Sequence, residues 1–277
     1  MIFMGNISDL NWTFSTLGCP DASLEEICAL GHRFGMQGVE IRAIEGQMNP
    51  PAVFQKRYGT PAEVQGVLDK FEVCIHSLDT SWVLMDRDPS AREQFLEFIP
   101  WAEALGVRWL RVFDGGAPNS QLSEADLSWL LSAIRWWRDQ KAKYGWQVDI
   151  MIETHDCLCH LSAIQQLMSN FGVAPAILWD SHHTWKRGGD DPLDTWRELK
   201  AMIPHIHVKD SISQPSANHP WTYVHGGEGE FPLEELLKAL AEESVNVPVS
   251  LEWERAWHPY LDPLEEALQH LRQKGWL

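Results

Sequence analysis

A chain of 277 residues, 44% hydrophobic and 22% charged, has the composition of an ordinary soluble globular protein with material for a sizeable core. Its 22 Lys and Arg stand against 39 Asp and Glu, a net charge of −17. So acidic a surface repels nucleic acid and anionic lipid, whose phosphates are bound by Lys and Arg displacing counterions.

No apolar run approaches the roughly 20 residues that span a bilayer. The opening MIFMGNISDLNW has no basic start, long apolar core or cleavage site, so it does not read as a signal peptide. Five cysteines (Cys19, Cys28, Cys74, Cys157, Cys159) without framework spacing point to free thiols in a reducing, cytoplasmic compartment. Fifteen tryptophans are expected to fill core volume, with some near strand ends available to stack on sugar faces.

In chain order, the first strand signal is NWTFST (11–16), followed by a helical pattern over 21–35 with Asp21 as its expected cap. GVEIRA (38–43) comes next, then a helix over 60–70 and FEVCIHSL (71–78). A helix over 89–105 leads to VRWLRVFD (107–114). Ser123, with Asp126 three residues on, opens a helix over 122–144. QVDIMIETH (147–155), a helix over 160–171 and AILWDSHH (176–183) follow. Pro192 and Pro232 take first-turn positions of helices over 192–202 and 232–243. Between those helices lie IPHIHVKDS (203–211) and a long loop, 212–231, expected over the mouth of the fold. VPVSLEWER (247–255) and a helix over 261–274 complete the series.

Eight strand–helix alternations without a linker predict one α/β domain over 1–277, a (β/α)8 TIM barrel rather than an open doubly wound sheet. The first strand–helix turn carries no GxGxxG, which argues against a dinucleotide fold.

The two-residue period of a strand sorts each one into two faces. One face is apolar: Val39 and Ile41, Val73 and Ile75, Leu110 and Val112, Ile150 and Ile152, Ile177 and Trp179, Ile206 and Val208, Val249 and Leu251. The other collects Glu40 and Arg42, His76, Arg111 and Phe113, Glu153 and His155, Asp180, His207 and Lys209, Glu252 and Glu254. In a barrel this second face points into the lumen, whose C-terminal rim carries the active site. Buried charges there must be paired with one another or with a metal. Glu153, Asp180, His207 and Glu252 come from the fifth to eighth strands. Three carboxylates and an imidazole suit Mn²⁺, Mg²⁺ or Co²⁺, with Zn²⁺ possible. Asp156 has the opposite parity and is expected only to begin the next loop.

The motifs GVEIRA, IMIETH, LWDSHHT, HIHVKDS, GGEGEFPLEELLKAL and VSLEWERAWHP, in this order and spacing, resemble the xylose isomerase-like TIM-barrel superfamily. That superfamily holds sugar and sugar-phosphate isomerases, ketose 3-epimerases, inosose dehydratases and, more distantly, endonuclease IV. The resemblance covers essentially the whole chain. It implies one divalent metal held by Glu153, Asp180, His207 and Glu252, with the two glutamates also serving as the acid/base pair. It also implies a substrate contact from a histidine after the sixth strand, here His183 or His182.

Lys209 and Glu254 depart from the epimerase pattern and bring the exact reaction into question. The resulting expectation is abstraction of a proton α to a carbonyl through an enediolate, giving epimerisation or isomerisation of a small carbohydrate. Expulsion of a β-hydroxyl would make the same site a dehydratase. His76, Arg111, His155, His183, Lys209, Glu254, Trp185 and Arg187 are the expected substrate contacts. His155 could equally orient a metal ligand. Trp12, Trp82, His225 and Trp257 are further residues that could set substrate identity. An endonuclease IV-like phosphodiesterase and a non-catalytic sugar-binding barrel are the rival readings. Related barrels often dimerise, so the resemblance is compatible with a homodimer. The acidic charge opposes the phosphodiesterase and the intact quartet opposes the non-catalytic barrel.

Overall fold

In the computed structural model, which describes residues 5–277, all eight expected strands form, with shifted bounds. They are β1 (Trp12–Phe14), β2 (Gly38–Ile41), β3 (Cys74–Val83), β4 (Trp109–Phe113), β5 (Asp149–Glu153), β6 (Ala176–Asp180), β7 (His205–Val208) and, after a hairpin, β10 (Val249–Leu251). The hairpin pairs β8 (Asp210–Ile212) antiparallel with β9 (Thr222–Val224). Its first arm overlaps the end of the strand expected over 203–211, and its second gives structure to the loop expected over 212–231. The eight principal strands form one sheet in the order β1-β10-β7-β6-β5-β4-β3-β2. A parallel bridge between Ser15 and Glu40 links the end of β1 to β2, which is the closure of a (β/α)8 barrel.

By compactness the chain divides into two units, residues 1–75 with 205–277, and 76–204. In the first, β10 lies parallel between β1 and β7, with Val249 opposite both Trp12 and Ile206, and Leu251 opposite Phe14 and Val208. Phe14, Val39, Ile41, Ile206 and Val249 are fully buried, and Phe14 and Val39 pack beneath Gly31 of the helix Leu24–Arg33. In the second, β4 and β5 pair from Trp109 with Asp149 to Phe113 with Glu153, and β5 pairs with β6 from Met151 with Ala176 to Glu153 with Leu178. Both faces of such strands are covered, so each reads as a nearly continuous apolar run until its last residue.

Several boundaries differ from expectation for identifiable reasons. Ser23, not Asp21, caps the first long helix: its hydroxyl accepts from Glu26 N, while the Glu26 carboxylate accepts from Ser23 N. The helix expected over 89–105 is two, Pro89–Leu96 and Ile99–Ala104. Pro100 lacks the N–H that would continue the first helix. Pro50–Arg57 is a helix with Asn49 as cap and two prolines in its first turn. It carries too little apolar periodicity to be expected. The sixth strand stops at Asp180, and Ser181–Lys186 is a short helix capped by the Asp180 side chain. Among the described residues no helix is long and apolar enough to cross a membrane.

Candidate active site and metal centre

In the unit built on β1, β2, β7 and β10, charge collects where these strands end. Glu40, His205 and His207 are fully or almost fully buried. Glu40 Oε2 lies 2.7 Å from His205 Nε2 and 2.9 Å from His207 Nε2. Burial opposes ionisation of Glu40, but His207 and His205 hold its carboxyl well below the usual carboxylate range. An ionised carboxylate only accepts, so both imidazoles present Nε2–H to it. Burial also pushes His205 down, against the pull of Glu40, which keeps that ring neutral. The opposite nitrogen of the second ring, His207 Nδ1, then faces Glu252 Oε1 at 3.3 Å.

Glu252 is itself shared. Its Oε2 accepts from Lys209 Nζ, and the same ammonium donates to Glu254 Oε1 at 2.6 Å. Lys209 is 1% exposed, so its charge is balanced inside the protein by these two carboxylates. Burial opposes the Glu252 charge, yet His207 and Lys209 hold its carboxyl well below the ordinary range. Against the same burial, Lys209 and His258 bring Glu254 to about 2. His258, in the loop after β10, stands 3.7 Å from Glu254 Oε2 and packs against the rings of His219, Tyr223 and Tyr260.

The second unit carries the remaining expected residues. Glu153 ends β5 and is 1% exposed; Arg111 Nη1 lies 3.4 Å from its Oε2. The same guanidinium stands 3.7 Å from Asp79 Oδ2 and stacks 3.8 Å over the Phe113 ring. Asp180 ends β6, fully buried; its Oδ1 accepts from His183 N at 2.8 Å and its Oδ2 lies 3.2 Å from His183 Nδ1. His155 packs edge-on to His183 with ring centroids 4.9 Å apart, and Trp185 packs on His182. His76 is half-buried on β3.

Arg187, expected as a substrate contact, is engaged by the chain: Nη1 donates to His155 O at 2.8 Å and lies 3.5 Å from Asp156 Oδ1. Asp156 is more than a loop start. Its carboxylate stands 3.1 Å from His155 Nδ1, and its N–H, with those of Gly115 and Leu158, donates to the buried Asp114 carboxylate. Burial lowers the tendency of His155 to protonate, but Asp156, Glu153 and Asp114 outweigh it and raise the ring to about 9.

Sequence reading placed Glu40 on the polar face without a role, and it missed Asp79, Asp114 and His258. Asp79 was lost because the third strand was ended at residue 78, whereas it continues to Val83. Trp82 lies against Phe95 and Trp136 in an aromatic cluster, and Trp12 donates its indole N–H to Ile7 O; both serve packing. Trp257 is 47% exposed.

A (β/α)8 barrel with carboxylates and imidazoles buried at the ends of its strands defines the class. Residues 28–274 match the xylose isomerase-like TIM barrel family, and the chain belongs to that family. No curated protein sequence matches it. Solved structures with the same fold include the probable 3-DHS dehydratase AsbF from Bacillus anthracis (19% identity, TM-score 0.76, covering 95% of this chain and 98% of that one). They also include the IolI protein with a binding zinc atom (16%, 0.72, 95% of each chain). A third is 3-keto-D-glucoside 4-epimerase YcjR from E. coli (14%, 0.68, 95% and 99%).

Proposed function

We propose that the protein is a divalent-metal-dependent isomerase or epimerase of a small sugar or sugar derivative, with Glu153, Asp180, His207 and Glu252 as metal ligands. Each of the four is buried, and together they offer three carboxylates and one imidazole. Glu153 and Asp180 are the last residues of β5 and β6, His207 lies one residue before the end of β7, and Glu252 directly follows β10.

The observation that carries the reading is the approach of His207 Nδ1 to Glu252 Oε1, 3.3 Å apart and sealed from water. Glu40 accepts from the Nε2–H of His207, so Nδ1 and Oε1 face each other across a cation, either a proton or a metal ion. The donor set fits Mn²⁺, Mg²⁺, Co²⁺ or Zn²⁺. When bound, such an ion supplies Lewis acidity toward a carbonyl and its neighbouring hydroxyl.

The protein's own groups handle the proton. Glu153 removes it from the carbon next to the carbonyl, and the Arg111 guanidinium at 3.4 Å steadies its carboxylate. Glu252 returns a proton on the other side for epimerisation or at the neighbouring carbon for isomerisation; steps of this kind contribute about 10²–10⁴-fold each. His183 and His155 line the Glu153–Asp180 side, where they contact substrate.

Lys209 supports a second reading. An ammonium held between Glu252 and Glu254 can deliver a proton to a departing β-hydroxyl, the step that distinguishes a dehydratase. AsbF, a probable 3-DHS dehydratase, shares the fold.

The test is ¹H/²H exchange over ketoses, inososes and sugar phosphates, run with elemental analysis of the purified protein. Exchange α to a carbonyl in the wild type, abolished in Glu153→Gln, is the expected result. Metal content and turnover that both survive Glu153→Gln and Glu252→Gln would refute the assignment.

A further inference from the structure

The sequence motif HGGEGE, which the proposed chemistry leaves unused, holds a second constellation. It is confined to the unit that contains β7 and β10. His225 and Glu228 lie in this turn, and His270 projects from the last helix, Leu264–Gln273. The His225 and His270 rings are 4.8 Å apart. One nitrogen or oxygen from each of His225, Glu228 and His270 can be chosen so that all lie within 4.8 Å of one another. His270 Nε2 stands 3.7 Å from Glu228 Oε1, and His225 Nε2 stands 3.4 Å from Asp262 Oδ2.

These spacings are meaningful for a metal. Four ligands at about 2.0–2.1 Å around a tetrahedral zinc are separated from one another by roughly 3.3–3.4 Å. Hydrogen-bonded partners would sit closer, near 2.9 Å. His270 Nε2 is shielded from water and makes no hydrogen bond, an arrangement that costs free energy unless something occupies its lone pair.

The backbone of the turn is fixed independently of any ion. Asp210 Oδ2 accepts from Gly227 N and Gly229 N, both at 2.9 Å, and Oδ1 accepts from Phe231 N at 3.1 Å. Gly226 packs so tightly on the last helix that a Cβ there would meet Leu271 Cδ2 at 3.0 Å. His225 and Glu228 are thus presented to His270 on a preformed scaffold, which keeps the ordering cost of binding low.

We infer that His225, Glu228 and His270 form a three-ligand zinc site, its fourth position left to solvent, that clamps the HGGEGE turn to the C-terminal helix. Two imidazoles and a carboxylate are a zinc donor set. None of these residues belongs to the proposed catalytic quartet, so the site stands or falls apart from it. Its role is structural: zinc bound here ties residues 225–230 to the helix and protects the turn from proteolysis.

The experiment uses the full chain, stripped with a chelator, reloaded with Zn²⁺, gel-filtered and measured for zinc per chain. The comparison set is the wild type, His225→Ala, His270→Ala and Glu153→Gln. The expected result is one zinc fewer per chain in each histidine variant than in the wild type, and one fewer again when either histidine change is added to Glu153→Gln, whose own loss concerns only the quartet. In the wild type itself, Zn²⁺ should shift the ring resonances of His225 and His270, a readout that survives any folding defect of the variants. Zinc content unchanged in both histidine variants, or ring resonances unmoved by Zn²⁺, would overturn the site.

Discussion

At the scale of single residues, the proposed centre depends on how His207 is held. Glu40 accepts from both His205 and His207, fixing which nitrogen of each ring carries the proton and leaving His207 Nδ1 to face Glu252. Outer partners of a ligating imidazole typically change metal affinity about 10–100-fold when removed. Glu40→Gln should therefore weaken metal binding by about that factor, measured by titrating the stripped protein, even though Glu40 is not itself one of the four proposed ligands.

Lys209 yields an opposite kind of prediction. Its ammonium separates Glu252 from Glu254, and Lys209→Met would leave two buried carboxylates with no cation between them. Breaking a buried ion pair from one side costs about 3–5 kcal/mol. A drop of that size should appear in urea unfolding of the metal-free variant, and an unchanged midpoint would mean that the lysine is not bearing this charge.

Among the secondary-structure elements, Asp210 shows how one side chain can organise a whole connection. Four backbone N–H groups converge on it, from Ser211, Gly227, Gly229 and Phe231. A Cβ on Gly229 would lie 2.1 Å from Asp210 Oδ1, so only glycine lets the chain approach. Each buried donor left without a partner costs about 1–3 kcal/mol. Asp210→Ala should lower stability by several kcal/mol and expose the turn to limited proteolysis before the rest of the chain unfolds, with the first cuts mapping to residues 225–231.

The same scale shows where sequence reading stops. Alternating apolar runs disclosed all eight strands because a parallel sheet buries both faces, and the polar parity of Glu153, Asp180, His207 and Glu252 stood out against that background. The hairpin β8–β9 was not legible: its short strands pair within a polar segment, without apolar alternation. Nor was Asp114, which besides its neighbour Gly115 holds the N–H groups of Asp156 and Leu158, about forty residues away in sequence. Pairings of that range leave no local periodic trace.

For the whole molecule, the buried acids divide into two groups with opposite effects on stability, which gives the pH profile of the metal-free protein a definite shape. Glu40, Glu252 and Glu254 are held below their ordinary range by their cationic and imidazole partners. What they contribute is present above the unfolded carboxylate value and is lost as pH falls through their lowered values, about 2 for Glu254. Asp114 behaves oppositely. Burial, reinforced by Asp156, raises it from 3.8 to about 7 despite its hydrogen bonds from Leu158 and Asp156. A group raised in the folded state binds its proton more tightly there, so its contribution is full below about pH 4 and disappears as pH climbs to about 7. At roughly 1.4 kcal/mol per unit, that loss is up to about 4 kcal/mol. His155, raised to about 9, adds a second decline between about pH 6.5 and 9. Thermal midpoints of the chelator-treated wild type should thus peak near pH 4–5 and fall in two steps. Asp114→Asn cannot titrate, and its amide offers the loop only one acceptor oxygen. It should start lower at pH 4 and show no first step while keeping the second. A wild-type midpoint that is flat or rising between pH 4 and 7, or an Asn variant with the same slope, would show that Asp114 is ionised in the native protein and that its backbone N–H partners outweigh burial.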